Sequence, residues 1–223
     1  MPRIDICYSE LEIDSINKFS APKLRGFLGY LFINDPEFHH HSEASFHYPL
    51  IQYKIINNSP CILGLQEYSD VVFKKISQLE HIVLPHEKVR IQSVKMDMVI
   101  SDIKEEEHQY RFLSPWLALN QENYSRYRKL DWNDKKRLLE GVFIGNILSA
   151  LKGLKVFVNF RILAEIQNLR QFTTFAHDNQ FVGFRAHIRT NIRLPQYIGI
   201  GKSVSKGFGT IEESECIIHK NRD

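Results

Sequence analysis

Residues 3–32 read RIDICYSELEIDSINKFSAPKLRGFLGYLF, and within this stretch the spacing of the apolar side chains changes from that of a strand to that of a helix. Ile4, Ile6 and Tyr8 lie at alternate positions, which predicts a strand from Arg3 to Ile13. Apolar residues then recur every three or four positions from Lys23 to Phe32, which predicts a helix. The chain is therefore expected to begin with a β-α pair.

The pattern continues through the first half of the chain. We predict strands at Phe46–Asn57, Cys61–Gln66 and Val89–Ile103, and a second amphipathic helix at Tyr68–Glu80. In order, these elements give β-α-β-β-α-β, the ferredoxin-like unit.

A second α+β unit of similar size is predicted after a charged run at Lys104–His108. We place the boundary there, giving units 1–104 and 105–223, although the run also fits an exposed hairpin tip. The predicted helix Asp131–Leu154 has Asp131 or Asn133 as its N-cap and Gly153 near its end. Strands are predicted at Gln109–Leu119, Val156–Ile162, Phe181–Ile192 and Thr210–Ile218.

Composition is that of an ordinary globular protein, with 223 residues, 43% hydrophobic and 25% charged. The formal net charge of +3 is compatible with nucleic-acid binding but does not require it. The three cysteines form no CxxC pair, so we expect neither a zinc site nor disulfides, and a reduced, cytoplasmic setting. No signal peptide and no membrane-spanning apolar run is recognised.

Near the C-terminus, residues 199–209 read GIGKSVSKGFG, with four glycines and two lysines. The Gly201-Lys202-Ser203 triplet is not a Walker loop, because Gln196 stands where that motif needs glycine. A dinucleotide fingerprint fails as well, since Val204 replaces its third glycine. Bare amides beside lysines are suited to an anion, and we favour a phosphodiester. A hairpin loop whose glycines only form turns is the alternative.

This Gly-apolar-Gly-x5-Gly-apolar-Gly pattern resembles the C-terminal glycine-rich loop of the sixth CRISPR-associated (Cas) protein family, within the RAMP superfamily. The residues Leu24–Gly29, Asp35–His41 and His47–Lys54 look like the N-terminal region of the subgroup found with type I-B systems. The resemblance implies two tandem ferredoxin-like domains, in agreement with the α+β pattern predicted from the periodicities.

The resemblance also implies an activity, which is metal-independent cleavage of CRISPR precursor RNA within its repeats. Carried over by position, the catalytic residues are His39 and His41, with Tyr48 in support. No cofactor or metal is expected. The expected partners are CRISPR repeat RNA and other Cas proteins of an interference complex, with no membrane, and the protein is expected to be a monomer or a homodimer.

The histidine pair suits this chemistry, because one imidazole can be neutral while another is protonated near neutral pH. If residues 39–41 are extended, His39 and His41 project to the same face and His40 points away. Two alternatives compete. Three consecutive histidines could bind a metal, although their geometry is poor without outside ligands. The segment could also be a solvated loop without a function.

The predicted RNA-binding surface combines the glycine-rich loop with one face of a strand. Its members are Gly199, Gly201, Lys202, Ser203, Lys206, Gly207, Gly209, Arg185, His187 and Arg189. The loop amides would hold phosphates, which fix register but carry no base identity. Tyr124, Tyr127 and Trp132, interleaved with basic residues, are candidates for stacking on bases, or half-buried core residues.

Two other functions remain open at this level. The same loop would serve a non-catalytic RAMP protein that only binds RNA. An unrelated ferredoxin-like protein that binds a small anionic ligand is the other, and strong salt-dependent binding to RNA would disfavour it.

Overall fold

Two antiparallel sheets organise the protein in the computed structural model, which describes residues 2–13, 19–34, 38, 48–84, 87–176 and 179–214. The strands of one sheet all lie between residues 3 and 102, and those of the other between residues 105 and 213. Among the described helices, none is both long enough and apolar enough to cross a membrane.

The first half folds as the predicted ferredoxin-like unit with one added strand. Its elements are β1 (Arg3–Ile13), α1 (Ala21–Leu31), β2 (Ile51–Ile56), β3 (Ser59–Leu65), α2 (Tyr68–Ile76), β4 (His81–Leu84) and β5 (Glu87–Asp102). The strand order is β2-β3-β1-β5-β4, and all neighbours are antiparallel. The added strand, β4, was not predicted, and it forms a hairpin with β5 at the sheet edge.

Strand β1 contributes to two hydrophobic cores because both of its faces are covered. Cys7 and Leu11 pack in the cluster that contains apolar residues of α1 and α2. Ile4 and Ile6 project to the opposite face and join the core of the second half. The two halves are therefore packed against each other through the first sheet.

The second half repeats the architecture of the first. Its elements are β6 (Glu105–Phe112), α3 (Gln121–Tyr127), α4 (Trp132–Gly153), β7 (Ala164–Ala176), β8 (Asn179–Ile192) and β9 (Ile211–Glu213). The strand order β7-β8-β6-β9 places the second, third, first and fourth strands side by side, as in the first sheet without β4. In place of the second helix, residues 193–210 form an irregular connection with a single 3₁₀ turn at Val204–Lys206.

Several sequence-based boundaries need correction. The predicted strand Phe46–Asn57 begins at Ile51 within the described residues, and the last strand, predicted over Thr210–Ile218, spans Ile211–Glu213. The charged run at Lys104–His108 is largely part of a strand, because β6 begins at Glu105, and the domain boundary placed between residues 104 and 105 stays a prediction. A register irregularity between Glu105 and His108 marks its start instead.

The largest difference between the predicted and the observed elements lies in the connection between α4 and β8. Residues 156–162 were predicted as a strand but are irregular, and their alternation arises because Val156 and Ile162 are buried while Phe157 is 81% exposed. The actual strand, β7, was missed. A register shift between Ile166 and Asn168 breaks its alternation, and one of its faces is polar, so no regular apolar period is visible.

Candidate nucleic-acid interface

Three glycines of the glycine-rich loop have backbone angles that other residues rarely adopt. Gly201, Gly207 and Gly209 have φ angles of +109°, +86° and +64°, in the left-handed region. A Cβ atom at Gly209 would lie 2.0 Å from the carbonyl oxygen of Ile200, and a Cβ at Gly199 would lie 2.2 Å from Cγ1 of Val204. Gly199 and Gly209 are therefore required because the loop folds tightly against itself, and Gly201 and Gly207 because it packs closely on Trp116 and Ala21.

Several amides of this loop already have acceptors inside the protein. The N–H of Gly199 donates to Oε1 of Gln52 (3.0 Å), that of Gly207 to the Val204 carbonyl (3.0 Å), and that of Gly209 to the Pro115 carbonyl (2.9 Å). In this conformation these three amides are engaged, unlike the bare cradle expected from the sequence. The cations that the loop offers are the ammonium groups of Lys202 and Lys206.

Tyr48 lies against the start of the loop. Its hydroxyl donates to the carbonyl oxygen of Gly199 (2.7 Å) and accepts from Nε2 of Gln52 (2.9 Å). Its Cβ also fills the space beside Gly153, where an added Cβ would approach it to 2.3 Å. Burial raises the pKa of the Tyr48 hydroxyl above its usual value, so the group stays protonated. Tyr48 and Gln52 together hold both backbone polar groups of Gly199.

Lys54, two residues further along β2, contacts the other end of the loop. It is only 1% exposed, and its Nζ donates to Oγ1 of Thr210 (3.2 Å). The Thr210 hydroxyl in turn donates to the Gly207 carbonyl (3.2 Å). Burial lowers the pKa of Lys54 to about 7. Alternate residues of β2 therefore support the two ends of the glycine-rich loop.

A cleft of about 370 Å³ lies between α1 and the loop, and we call it the α1 cleft. Its lining comprises Pro22, Arg25, Gly26, Gly29, Tyr30, Ile33, Phe38 and Lys206. Among these residues the charged groups are a guanidinium and an ammonium, and there is no carboxylate. The α1 cleft is therefore suited to an anionic group such as a phosphate.

The predicted catalytic histidines, His39 and His41, lie outside the described residues. Phe38, which directly precedes His39 in the chain, is described, is 2% exposed and lines the α1 cleft. Tyr48, the predicted supporting residue, lies within the described residues and contacts Gly199 of the loop.

The predicted basic face of β8 has the expected alternation. Arg185 and Arg189 are exposed and His187 is half-buried, while Phe184, Ala186 and Ile188 point into the core. Arg189 forms ion pairs with Glu165 of β7 and Glu107 of β6, so part of its charge is neutralised within the sheet.

The aromatic candidates for base stacking separate into two groups. Tyr127 is 3% exposed, packs edge-on against Phe184 at 5.6 Å and donates its hydroxyl hydrogen to Gln171 (2.7 Å), so it is a core residue. Tyr124 and Trp132 are 40% and 55% exposed.

Comparison with known proteins identifies the family. A model of the Cas6b N-terminal domain matches residues 3–102, and a model of the Cas6b C-terminal domain matches residues 102–214. The chain belongs to the Cas6b family. The resemblance to the sixth Cas family is thereby confirmed, as is the predicted fold of tandem ferredoxin-like domains.

Two solved Cas6b structures are similar over nearly the whole chain. One crystal structure of Cas6b has a TM-score of 0.85 and 29% identity, and the match covers 96% of this chain and 100% of that one. A CRISPR RNA processing endoribonuclease, also a Cas6b, has a TM-score of 0.73 and 28% identity, covering 95% and 100%. The uncharacterized protein MJ0978 of Methanocaldococcus jannaschii is 43% identical over 102 residues, which are 46% of this chain and 69% of that protein.

Sequence reasoning on this Cas6b chain missed three polar residues that the fold brings to the loop or the cleft. Gln52 and Lys54 lie in an apolar strand, where a buried lysine is rare and is itself a signal. Arg25 lies on the predicted helix α1, but no spacing rule links it to a loop about 180 positions later in the sequence.

Proposed function

We propose that this chain, an endoribonuclease of the Cas6b family, cleaves CRISPR repeat RNA without a metal ion. The RNA supplies its own nucleophile, because the 2′-hydroxyl attacks the adjacent phosphorus and the 5′-oxygen leaves. The products are a 2′,3′-cyclic phosphate and a 5′-hydroxyl. The observation that carries this proposal is the cationic α1 cleft, which is lined by Phe38 immediately before the histidine run.

In this proposal the two proton transfers are made by His39 and His41. One imidazole takes the proton of the 2′-hydroxyl, and the other protonates the departing 5′-oxygen. Each such group contributes about 10²–10⁴-fold to the rate. Histidine is the residue type most often used for such transfers, because an unperturbed imidazole changes its charge near neutral pH.

Arg25 and Lys206 are assigned to the phosphate group. Both line the α1 cleft, and negative charge builds up on the non-bridging oxygens as the 2′-oxygen attacks. Fixed cations at that position stabilise the transition state more than the ground state. Arg25 is suited to a bidentate contact with two phosphate oxygens, because its guanidinium presents parallel N–H donors.

Tyr48 is assigned a positioning role. Its hydroxyl hydrogen is already donated to the Gly199 carbonyl, and its raised pKa keeps that hydrogen in place. It acts on the reaction by fixing the loop that carries Lys206.

The remaining RNA contacts are assigned to the loop and to the β8 face. Lys202 and Ser203 lie in the loop beside Lys206, and Arg185, His187 and Arg189 provide a second basic region. These groups bind the phosphate backbone of the repeat, so they contribute affinity and register rather than base identity.

The test uses repeat RNA from a CRISPR array of the same genome, incubated with the purified protein in EDTA. We expect cleavage at one position in each repeat, with a 5′-hydroxyl on the downstream product. The double variant His39→Ala/His41→Ala should bind RNA but not cut it, and His40→Ala is the matched control, which should still cut. Intact RNA after incubation with the wild-type protein would instead support a non-catalytic RNA-binding protein. Unchanged cutting by the double variant would place the active site elsewhere.

A further inference from the structure

A second cavity, of about 810 Å³, adjoins the α1 cleft and shares Pro22 and Lys206 with it. We call it the phenylalanine groove, defined by Phe19, Phe175, Phe208 and Lys206. These residues come from three separate parts of the chain, which are the segment entering α1, the end of β7, and the glycine-rich loop. The remaining lining is Ser20, Ala21, Ile55, Ser114, Pro115, Thr174, Ala176 and Gly207.

The rings of this groove are incompletely buried by the chain itself. Phe175 is 70% exposed, and Phe19 and Phe208 are half-buried. One exposed and two half-buried phenylalanines around one cavity form an apolar surface suited to a ligand. Among the lining residues that the structure describes, the charged group is Lys206 and there is no carboxylate.

This combination fits an unpaired nucleotide. A nucleobase stacks on aromatic rings through its π-face, and its phosphate pairs with a cation. Hydroxyl groups of Ser20 and Thr174 in the lining are suited to the polar edge of a base, whereas the Ser114 hydroxyl already accepts a hydrogen bond from the Thr210 amide. Because Pro22 and Lys206 line both cavities, the groove lies next to the α1 cleft, and neighbouring nucleotides of one strand could each occupy one of them.

We propose that the phenylalanine groove binds an unpaired nucleobase of the RNA substrate, beside the nucleotide whose phosphate occupies the α1 cleft. This inference rests on the proposed function, because it requires RNA in that cleft. The groove then supplies base contacts at the cleavage site, which the phosphate-binding residues do not.

The experiment measures the affinity of the full-length protein for repeat RNA that carries a 2′-deoxy nucleotide at the cleavage position and so is not cut. Phe175→Ala should weaken binding by roughly 5- to 150-fold, the range for loss of one base–aromatic stack. Phe175→Leu should bind nearly as weakly, because leucine keeps apolar area but has no π-face, and Phe175→Trp should bind like the wild type. Phe157→Ala is the matched control, since Phe157 is 81% exposed and lies outside the groove.

A set of RNAs with single abasic nucleotides near the cut locates the base. At one position, removal of the base should weaken RNA binding by the wild type. The same RNA should bind to Phe175→Ala as well as the unmodified RNA does, because the stacking contact is already absent from this variant. The assignment is wrong if Phe175→Ala binds like the wild type, if Phe175→Leu restores full affinity, or if the two changes add at every position. If one of these three results is found while the wild type still cuts repeat RNA, only the assignment of the groove is refuted. If the wild type neither binds nor cuts repeat RNA, the proposed function is refuted as well.

Discussion

The hydroxyl of Tyr48 donates a hydrogen bond of 2.7 Å to the carbonyl oxygen of Gly199, which lies 151 positions later in the chain. The bond joins the segment before β2 to the first glycine of the loop. Gln52 completes the arrangement, because its side chain binds both the Tyr48 hydroxyl and the Gly199 amide. The position of the loop is therefore set by the first half of the chain.

Replacing Tyr48 with phenylalanine should separate a positioning role from a catalytic one. The change leaves the Gly199 carbonyl without this donor, at a cost of about 1–3 kcal/mol in the free energy of unfolding. We expect slower cleavage with an unchanged pH–rate profile, because the hydroxyl transfers no proton. Tyr124→Phe is the control, since that ring is exposed and outside the α1 cleft. If the cleavage rate of Tyr48→Phe no longer falls at low or at high pH as that of the wild type does, the tyrosine acts as an acid or base.

Alanine at Gly209 should destabilise the loop severely. The φ angle of +64° is unfavourable for alanine, and the new Cβ would lie 2.0 Å from the Ile200 carbonyl oxygen. We expect a loss of more than about 2 kcal/mol in the free energy of unfolding, measured by urea denaturation. Gly145→Ala in α4 is the control. No atom lies within 4 Å of its added Cβ, so it should stabilise the helix by about 0.5–1 kcal/mol. Equal effects at both sites would contradict the steric argument.

Removing Lys202 and Lys206 should change the salt dependence of RNA binding. Each lysine that contacts a phosphate contributes roughly 0.7–1 to the slope of log affinity against log salt. Lys202→Ala/Lys206→Ala should therefore bind more weakly, with a slope shallower by about 1.4–2. Lys88→Ala is the control. This exposed lysine lies on β5 where it pairs with β4, at the sheet edge opposite to β2. Identical slopes for the double variant and the wild type would exclude these lysines from the interface.

Lys54 gives a prediction about stability and pH. Its pKa falls from 10.5, the ordinary value, to about 7 in the folded protein. Between these values the unfolded chain binds more protons than the folded one, so the stability of the wild type rises with pH across this window. The cost of burying the charged amine is present below pH 7 and disappears towards pH 10.5.

Lys54→Met should therefore be more stable than the wild type, by up to about 4–5 kcal/mol below pH 7 and by progressively less as the pH rises. Denaturant unfolding at pH 6 and pH 9 measures the difference. Lys88→Met, at an exposed site, should show the same difference from wild type at both pH values. A stability difference for Lys54→Met that does not change with pH would mean that Lys54 keeps an ordinary pKa.

The sequence predicted those parts of the fold in which regular periodicity coincides with burial. α4 was found because it buries one regular face against a core, and β1 because Ile4, Ile6 and Tyr8 alternate along the face that packs against the second half. β7 was missed because its bulge shifts the alternation, and β4 because it is only four residues long. Short or irregular strands depend on pairing with distant neighbours, and that pairing is not visible in a local window.

The candidate site was predictable only where a motif is local in sequence. The glycine-rich loop was recognised from its spacing, and the burial pattern of β8 matches the alternation of Arg185, His187 and Arg189. The contacts of Gln52 and Lys54 with the loop were not predictable, since they join residues 147 and 156 positions apart. Only the packing of the two halves brings them together.

The loop stands where a helix would be expected, but it lacks the regular internal hydrogen bonds of a helix. Side chains of the first half hold it in place instead, namely Tyr48, Gln52 and Lys54. A chimera that joined this C-terminal half to the N-terminal half of a distant homologue would inherit the loop without its anchors. Transplanting the loop between proteins therefore requires moving these three side chains with it, and the smallest exchangeable unit of the protein is discontinuous in sequence.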